Sequence, residues 1–139
     1  MPSRVIVDGN NVIGSVPDGW WRDRPGAARR LLGRLQCLAR HGAETVVLVL
    51  DVADPDLPEG DHDGVTVLYA RRRGRDAADD RIRELVSDLT SPGDADAVAG
   101  VDPGTVVVTS DRALAEDVQA AAGVTGARAF LRQLDELGC

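Results

Sequence analysis

Short apolar runs recur along the chain, and each is followed by polar residues that are typical of turns. They predict four strands, at Arg4–Val7, Thr45–Leu50, Val65–Tyr69 and Thr105–Val108. The runs are continuous rather than alternating, which indicates burial on both faces, as in parallel sheets covered by helices. We therefore expect a mainly parallel sheet.

Apolar residues at helical spacing fill the segments between and after these strands. They predict helices at about Pro25–His41, Asp76–Leu89, Arg112–Ala122 and Phe130–Leu137. Alternation of strand and helix indicates an α/β fold with helices on both sides of the sheet. Two acidic stretches rich in proline and glycine, Val52–Gly64 and Ser91–Gly104, are expected to be surface loops or lids.

The size and composition of the chain indicate one globular domain spanning residues 1–139. The 139 residues are 43% hydrophobic, which suffices for one buried core. No signal-like segment is recognised, and the longest apolar run, Val46–Leu50, is too short to cross a bilayer. We therefore expect a soluble, cytoplasmic protein with no membrane partner. Cys37 and Cys139 stand in very different settings, so neither a disulfide nor a cysteine metal site is expected.

The charge is acidic overall but unevenly distributed. The formal net charge is −7, which argues against binding nucleic acid by long-range attraction alone. Every basic residue is an arginine, concentrated in Arg22–Arg40 and Arg71–Arg83, while acids crowd Asp51–Asp63 and Asp94–Asp102. A basic lip beside an acidic pocket is compatible with this pattern.

Aspartates close three of the four predicted strands. Asp8 and Asp51 each follow an apolar run, and Asp111 follows Val108 after two residues. Each alone is explained by helix capping or a local turn. The carboxyl ends of parallel strands meet at one edge, where ligands bind in such sheets. Three carboxylates there repel one another unless a cation neutralises them.

A fourth acid lies on the second predicted helix, Asp76–Leu89. A projection at 100° per residue places Asp79 at the margin of the buried stripe that contains Ile82 and Val86, whereas Asp80 points to solvent. A favourable position near the helix N-terminus explains Asp76 and Asp80 well. It explains Asp79 less well, because an acid beside an apolar stripe needs a partner.

The segment after the first strand reads DGNNVIG, from Asp8 to Gly14. Gly9 permits a tight turn and a close approach of backbone to a ligand, and Asn10 and Asn11 offer neutral groups to a metal-bound water or a phosphate oxygen. The glycine patterns of nucleotide-binding loops are absent.

Taken in order, IVDGNNVIG, LVLD, the ADDRI of Ala78–Ile82 and the VVTSDR of Val107–Arg112 resemble the NYN domains. The similarity is to the YacP-like branch of the PIN-like nuclease superfamily and covers nearly the whole chain. It implies a Rossmann-like sheet with a divalent-metal site that hydrolyses phosphodiester bonds in RNA. The family's acids match Asp8, Asp51, Asp79 and Asp111, and its paired asparagine matches Asn11. Asn10 departs from the pattern, since other members often have an aromatic there, and the carboxyl-terminal part is short.

The hypothesis for the site is that Mg²⁺ or Mn²⁺ binds among Asp8, Asp79 and Asp111, with Asp51 and Asn11 holding ligands or waters around it. Single-stranded RNA, free or in a ribonucleoprotein, is the expected partner, and the oligomeric state is left open. Residues expected to contact RNA are Asn10, Arg112, Arg71, Arg72, Arg73 and Arg75. A solvated charged loop explains the last four equally well.

Alternatives from other classes stay open. A module of the same fold without turnover could bind RNA or a ribonucleoprotein, and a DNA nuclease or small phosphatase would use similar acids. Trp20 and Trp21 could stack on bases, although covering the edge of the core is the favoured role. His41 and His62 lack a partner motif and are interpreted as surface residues.

Overall fold

The computed structural model describes residues 4–17, 19–43, 45–71, 77–89 and 102–139. The strands are β1 (Arg4–Asp8), β2 (Thr45–Leu50), β3 (Gly60–His62), β4 (Val65–Tyr69), β5 (Asp102–Val108) and β6 (Ala122–Thr125). The helices are α1 (Gly9–Gly14), α2 (Arg24–Arg40), α3 (Ala77–Leu89), α4 (Arg112–Val118) and α5 (Ala127–Glu136), and a 3₁₀ turn spans Trp20–Arg22. The expected α/β class is confirmed.

The described strands form a single sheet in the order β3-β4-β2-β1-β5-β6. The β3–β4 pair is antiparallel, whereas β1 pairs in parallel with both β2 and β5. The chain moves outward from β1 through β2 to β4, and then returns to the other side of β1 with β5. The sheet therefore changes winding direction between β1 and β5, which is where open α/β sheets bind their ligands.

Two apolar layers cover the faces of the sheet. On one face α1, α2 and α5 pack through residues such as Val12, Leu35 and Phe130. On the other face α3 and α4 pack through Ile82 and Leu114. Burial of strands on both faces explains their continuous apolar runs. In the described part of the chain, no helix combines the length and apolarity needed to span a membrane.

Gly9 allows helix α1 to begin directly against strand β2. A Cβ at this position would lie 2.7 Å from Leu50 Cδ2 and 2.9 Å from the carbonyl oxygen of Val49. Real Cβ atoms essentially never approach so closely, and here one of the neighbours is backbone. The glycine thus brings the start of α1, with its two asparagines, close to the end of β2.

The structure differs from several predicted elements. Helix α4 ends at Val118 rather than at Ala122, and Ala122 instead begins β6, which pairs in parallel with β5. The loop predicted at Val52–Gly64 contains β3, which forms an antiparallel edge with β4. The short helix α1 was not predicted. Of the loop predicted at Ser91–Gly104, residues 91–101 lie outside the described part, and β5 starts at Asp102.

The expectation that the cysteines stay unpaired is also wrong. Cys37, in the last turns of α2, forms a disulfide with Cys139, which follows α5. The two residues are 102 positions apart in the chain, so no local spacing signalled the bond. They meet because α2 and α5 lie in the same helical layer and both run toward the amino-terminal end of the sheet.

Candidate active site at the carboxyl edge of the sheet

Asp8 is the buried acid at the centre of the site. It is the last residue of β1, and only 4% of its surface is exposed. Thr109, two positions before Asp111, donates a hydrogen bond from its hydroxyl to Asp8 Oδ2 at 2.9 Å. Among the described residues no arginine forms an ion pair with Asp8, so its charge is not compensated by a neighbouring cation.

The surroundings of Asp8 raise the pKa of its carboxyl from 3.8 to about 6. Burial is the largest cause, since it penalises the charged form. The hydrogen bonds from the Thr109 hydroxyl and the Asn11 backbone lower the pKa, while the negative charges of Asp51 and Asp111 raise it. Asp51 and Asp111 therefore both lie close enough to Asp8 to repel its charge.

Asp51 connects the end of β2 with the start of α3. Its backbone amide donates to Asn10 Oδ1 at 2.9 Å, and its carboxylate oxygen Oδ1 accepts from the backbone amide of Ala78 at 3.2 Å. Asp79 is the next residue after Ala78 and is 6% exposed. The projection that placed Asp79 near the buried face and Asp80 toward solvent is confirmed, since Asp80 is half-exposed.

Asp111 caps helix α4. Its Oδ1 accepts from the backbone amide of Leu114 at 3.0 Å, and its own amide donates to the hydroxyl oxygen of Thr109 at 3.1 Å. The capping explanation for this residue is therefore correct, and it coexists with proximity to Asp8. Thr109 joins the two acids, and sequence reasoning missed it. Its signal was its position in TSD, between a buried strand and a capping aspartate.

Asn10 and Asn11 hold three strand ends together. Asn10 Oδ1 accepts from the amide of Asp51, and Asn11 Oδ1 accepts from the amide of Ser110 at 2.8 Å. The loops after β2 and β5 are thus both tied to the start of α1. These bonds engage the side-chain oxygens of both asparagines. The contacts predicted with a metal-bound water or a phosphate oxygen therefore stay predictions, and they concern the side-chain nitrogens.

A polar cavity of ≈ 540 Å³ borders this edge of the sheet. Asn10, Asn11 and Ser110 line one part of it, and Gly126 and Arg128, at the start of α5, line another. Arg128 is exposed and was not singled out from the sequence, because it lies far from the two arginine-rich segments. The cavity is a place where a phosphate could lie beside the acids.

Residues 5–138 match the sequence profile of the YacP-like NYN domain family. The chain belongs to this family. Its fold is similar to two crystal structures of Rae1 (YacP) from Bacillus subtilis. One is the W164L mutant, with a TM-score of 0.71 and 22% identity over 98% of this chain and 77% of that chain. The other has a TM-score of 0.70 and 24% identity over 96% and 74%. Among curated protein sequences, none matches the chain.

The four acids that match the YacP-like NYN pattern all lie at or next to the carboxyl edge. Asp8 ends β1, Asp51 directly follows β2, Asp111 precedes α4, and Asp79 lies in the first turn of α3. The negative charge of Asp79 also affects the pKa of Arg83. Burial lowers the pKa of that guanidinium, whereas Asp117 and, to a smaller extent, Asp79 raise it. The pKa of Arg83 is raised overall. We call these four acids the acidic edge.

The arginines predicted to contact RNA fall into three situations. Arg112 is exposed in the first turn of α4, next to Asp111. Arg71 is exposed and forms an ion pair with Glu84 at 3.1 Å, as expected of a solvated charged segment. Arg72, Arg73 and Arg75 lie outside the described residues.

The donor atoms of the acidic edge suit a hard divalent ion that keeps part of its water shell. In the described residues, no three of these acids bring their ligand oxygens within 4.8 Å of one another; the side chains that do so are Cys37, His41 and Cys139, where the sulfurs are joined. Mg²⁺ is commonly held by one or two carboxylates, waters and substrate phosphate oxygens rather than by a protein cage. The uncompensated Asp8 charge fits such an ion.

Proposed function

We propose that this YacP-like NYN domain is a divalent-metal-dependent ribonuclease that hydrolyses phosphodiester bonds in single-stranded RNA. The observation that carries the proposal is Asp8, a buried acid that no arginine of the described residues pairs with, beside Asp51 and Asp111 at the point where the sheet changes direction. Holding negative charges close together in a folded protein is unfavourable unless a bound cation neutralises them. The proposed setting is the cytoplasm, with RNA free or within a ribonucleoprotein.

Asp8, Asp79 and Asp111 would hold Mg²⁺ or Mn²⁺, and Asp51 and Asn11 would hold waters or ligands around it. When bound, such an ion activates a water and neutralises charge on the phosphoryl oxygens. The charge of the site supports the proposal of an ion, because four carboxylates near a phosphate would repel it unless a cation lay between them. No protein nucleophile is required for this hydrolysis.

The residues around the acids fix their positions. Thr109 orients Asp8 through its hydroxyl, and the capping bond to Leu114 orients Asp111. Asn10 and Asn11 keep the ends of β2 and β5 near β1. Arg112 and Arg128 are exposed cations beside this edge, and both are suited to binding phosphate oxygens of the substrate strand.

The test is cleavage by the purified protein. A 5′-labelled single-stranded RNA is incubated with Mn²⁺ or Mg²⁺, beside duplex DNA and a chromogenic phosphate ester. We expect cleavage of the RNA, loss of activity with a chelator, and a fall in rate on the order of 10²-fold or more in Asp8→Asn. Asp111→Asn should fall similarly, because asparagine keeps the capping oxygen but removes the charge.

Asp135→Asn is the matched control. Asp135 pairs with Arg34 at the opposite end of the helical layer, so the same chemical change there should leave cleavage unaltered. Cleavage of the ester alone would contradict a nuclease, and preferred cleavage of duplex DNA would favour the DNA nuclease alternative. RNA binding without cleavage, whichever metal ion is added, would instead favour the binding module.

A further inference from the structure

An apolar cavity of ≈ 320 Å³ opens beside the acidic edge, on the α2 side of the sheet. Its apolar lining includes Ile13, Trp20, Ala28, Leu50 and Val52. Its polar lining consists of Asn10, Arg24 and Asp54. A mainly apolar cleft of this size with a few polar groups is typical of small-ligand sites, whose volumes run from roughly 300 to 1,000 Å³. We call it the Trp20 cavity.

The Trp20 cavity adjoins the proposed active site at two places. Leu50 and Val52, which line it, are the chain neighbours of Asp51. Asn10 lines both the Trp20 cavity and the polar cavity that contains Asn11 and Ser110. A group in the Trp20 cavity would therefore be a neighbour of a group at the acidic edge, next to the side chain of Asn10 and the end of β2.

The two tryptophans have different surroundings. Trp20 packs partly against the core, lines the cavity, and has the guanidinium carbon of Arg24 5.4 Å from its ring centroid. Trp21 is 58% exposed and does not line the cavity. The favoured prediction, that both cover the core edge, fits Trp20 only in part and does not fit Trp21. Val52, at 70% exposure, is a further apolar side chain left open at this surface.

We propose that the Trp20 cavity binds one unpaired nucleobase of the RNA strand, stacked on Trp20, while an adjacent phosphate lies at the acidic edge. This inference rests on the proposed function. A base has a flat apolar face and a polar rim, and the cavity offers an indole and aliphatic surfaces together with the amide of Asn10 and the charges of Arg24 and Asp54. A paired base could not enter, so the cavity would select single strands.

Tryptophan fluorescence tests the proposal independently of cleavage. The chain contains two tryptophans, so in Asp8→Asn/Trp21→Phe protein Trp20 is the remaining one. With Mg²⁺ present, a dye-labelled single-stranded RNA octamer is added, and both quenching of Trp20 and anisotropy of the dye are measured. We expect quenching by the single strand, less quenching when one position is abasic, and little by the same sequence as a duplex.

Substitutions in the Asp8→Asn background then separate the two indoles. Trp20→Ala should raise the Kd for the octamer by roughly 5- to 100-fold, the usual effect of losing one base–aromatic stack. Trp21 lies edge-on to Trp20, with ring centroids 5.9 Å apart, so Trp21→Phe, which keeps an aromatic ring there, should leave the Kd nearly unchanged. Because Trp20 contacts the core, Ala53→Leu provides a second variant. Ala53 lines the cavity from an exposed loop, so a larger side chain should block the base and raise the Kd without disturbing packing.

The outcomes distinguish this inference from the proposed function. If the wild-type protein cleaves RNA but Trp20→Ala and Ala53→Leu bind and cleave normally, the base site is wrong and the ribonuclease stands. If the wild-type protein does not cleave but Trp20 is quenched only by single strands, the base site stands and the enzyme proposal fails. The base site is overturned if RNA does not bind, or if the duplex and the abasic strand quench Trp20 as strongly as the intact single strand does.

Discussion

The two ends of the sheet are held together in opposite ways. At the carboxyl edge, like charges approach one another. They are held by a hydrogen bond that the Thr109 hydroxyl donates and by two that the side-chain oxygens of Asn10 and Asn11 accept. At the amino-terminal edge of the sheet, near the ends of α2 and α5, Cys37 is bonded to Cys139, and Arg34 pairs with Asp135 at 2.5 Å. One end assembles groups that repel, and the other joins groups that attract.

This difference shows where the fold gives up stability and where it gains it. Burying the Asp8 charge is unfavourable in the free protein, and such strain is usual where residues are placed for binding rather than for folding. The covalent bond and the ion pair at the other end carry no such conflict. Variants at the two ends should therefore separate stability from activity.

The largest expected effect on stability comes from the disulfide. Cys37→Ser/Cys139→Ser should lower the free energy of unfolding by about 4 kcal/mol, because a bond that closes a loop of this length strongly restricts the unfolded chain. Urea unfolding under non-reducing conditions measures the change. RNA cleavage at a temperature where the variant is folded should stay at the wild-type rate, since the bond lies far from the acidic edge.

Reduction of the wild-type protein with a dithiol provides the control, because it should reproduce the loss of stability without any substitution. A cleavage rate that fell in parallel with bond loss in folded protein would contradict the separation of the two ends. A loss of stability well below 1 kcal/mol would show that the bond does not constrain the unfolded chain in the expected way.

The second effect comes from Asp8 and depends on pH. Its pKa is raised in the folded protein, from 3.8 to about 6, so its favourable contribution is fully present below pH 4 and is lost as the pH rises through 6. At pH 7.5 the stability that has been lost amounts to about 3 kcal/mol. Asp8→Asn should therefore be more stable than the wild type at pH 7.5 by up to about this amount, with the difference disappearing near pH 4.

Urea unfolding of both proteins across this pH range checks the prediction. Mn²⁺ or Mg²⁺ should reduce the difference at pH 7.5, because an ion that binds the native carboxylates stabilises the wild type more than the variant. Asp135→Asn should show no comparable gain at neutral pH. If Asp8→Asn were less stable than the wild type at every pH, the raised pKa would be refuted.

A smaller effect on stability is expected from removing the hydrogen bond that the Asn11 side chain accepts. Asn11→Ala removes the bond to the Ser110 amide and should lower stability by about 1 kcal/mol, while cleavage falls more than this loss explains because the β5 loop is no longer held. Gln36→Ala is the matched control, since Gln36 Nε2 donates to the carbonyl of His62 at 3.0 Å. Equal effects of both variants on cleavage would exclude a positioning role for Asn11.

Periodicity and strand-end residues predicted much of this arrangement. The continuous runs before Asp8 and Asp51 are decisive because burial on both faces leaves no polar position until the strand ends. Asp79 could be chosen over Asp80 because one face of α3 is apolar. The strand order could not be predicted, since it depends on how helical layers pack and not on any local pattern.

The errors in the prediction have physical causes of the same kind. The stretch after Val118 contains three consecutive alanines, which favour a helix, but pairing with the open edge of β5 turns Ala122–Thr125 into a strand. Helix α1 is only six residues long, too short for a clear period. Thr109 and the disulfide depend on contacts across about a hundred residues, which a single sequence does not reveal.

The hydrogen bond between Asp8 and Thr109 joins residues 101 positions apart. On the proposed function, the first acid of the chain is made early in synthesis, but Thr109 can orient it only after β5 has been added beside β1. A partial chain that ends before β5 would have half of a metal site and no catalytic activity. If the proposed function is correct, the nuclease would therefore stay inactive until its synthesis has passed the point at which it can fold.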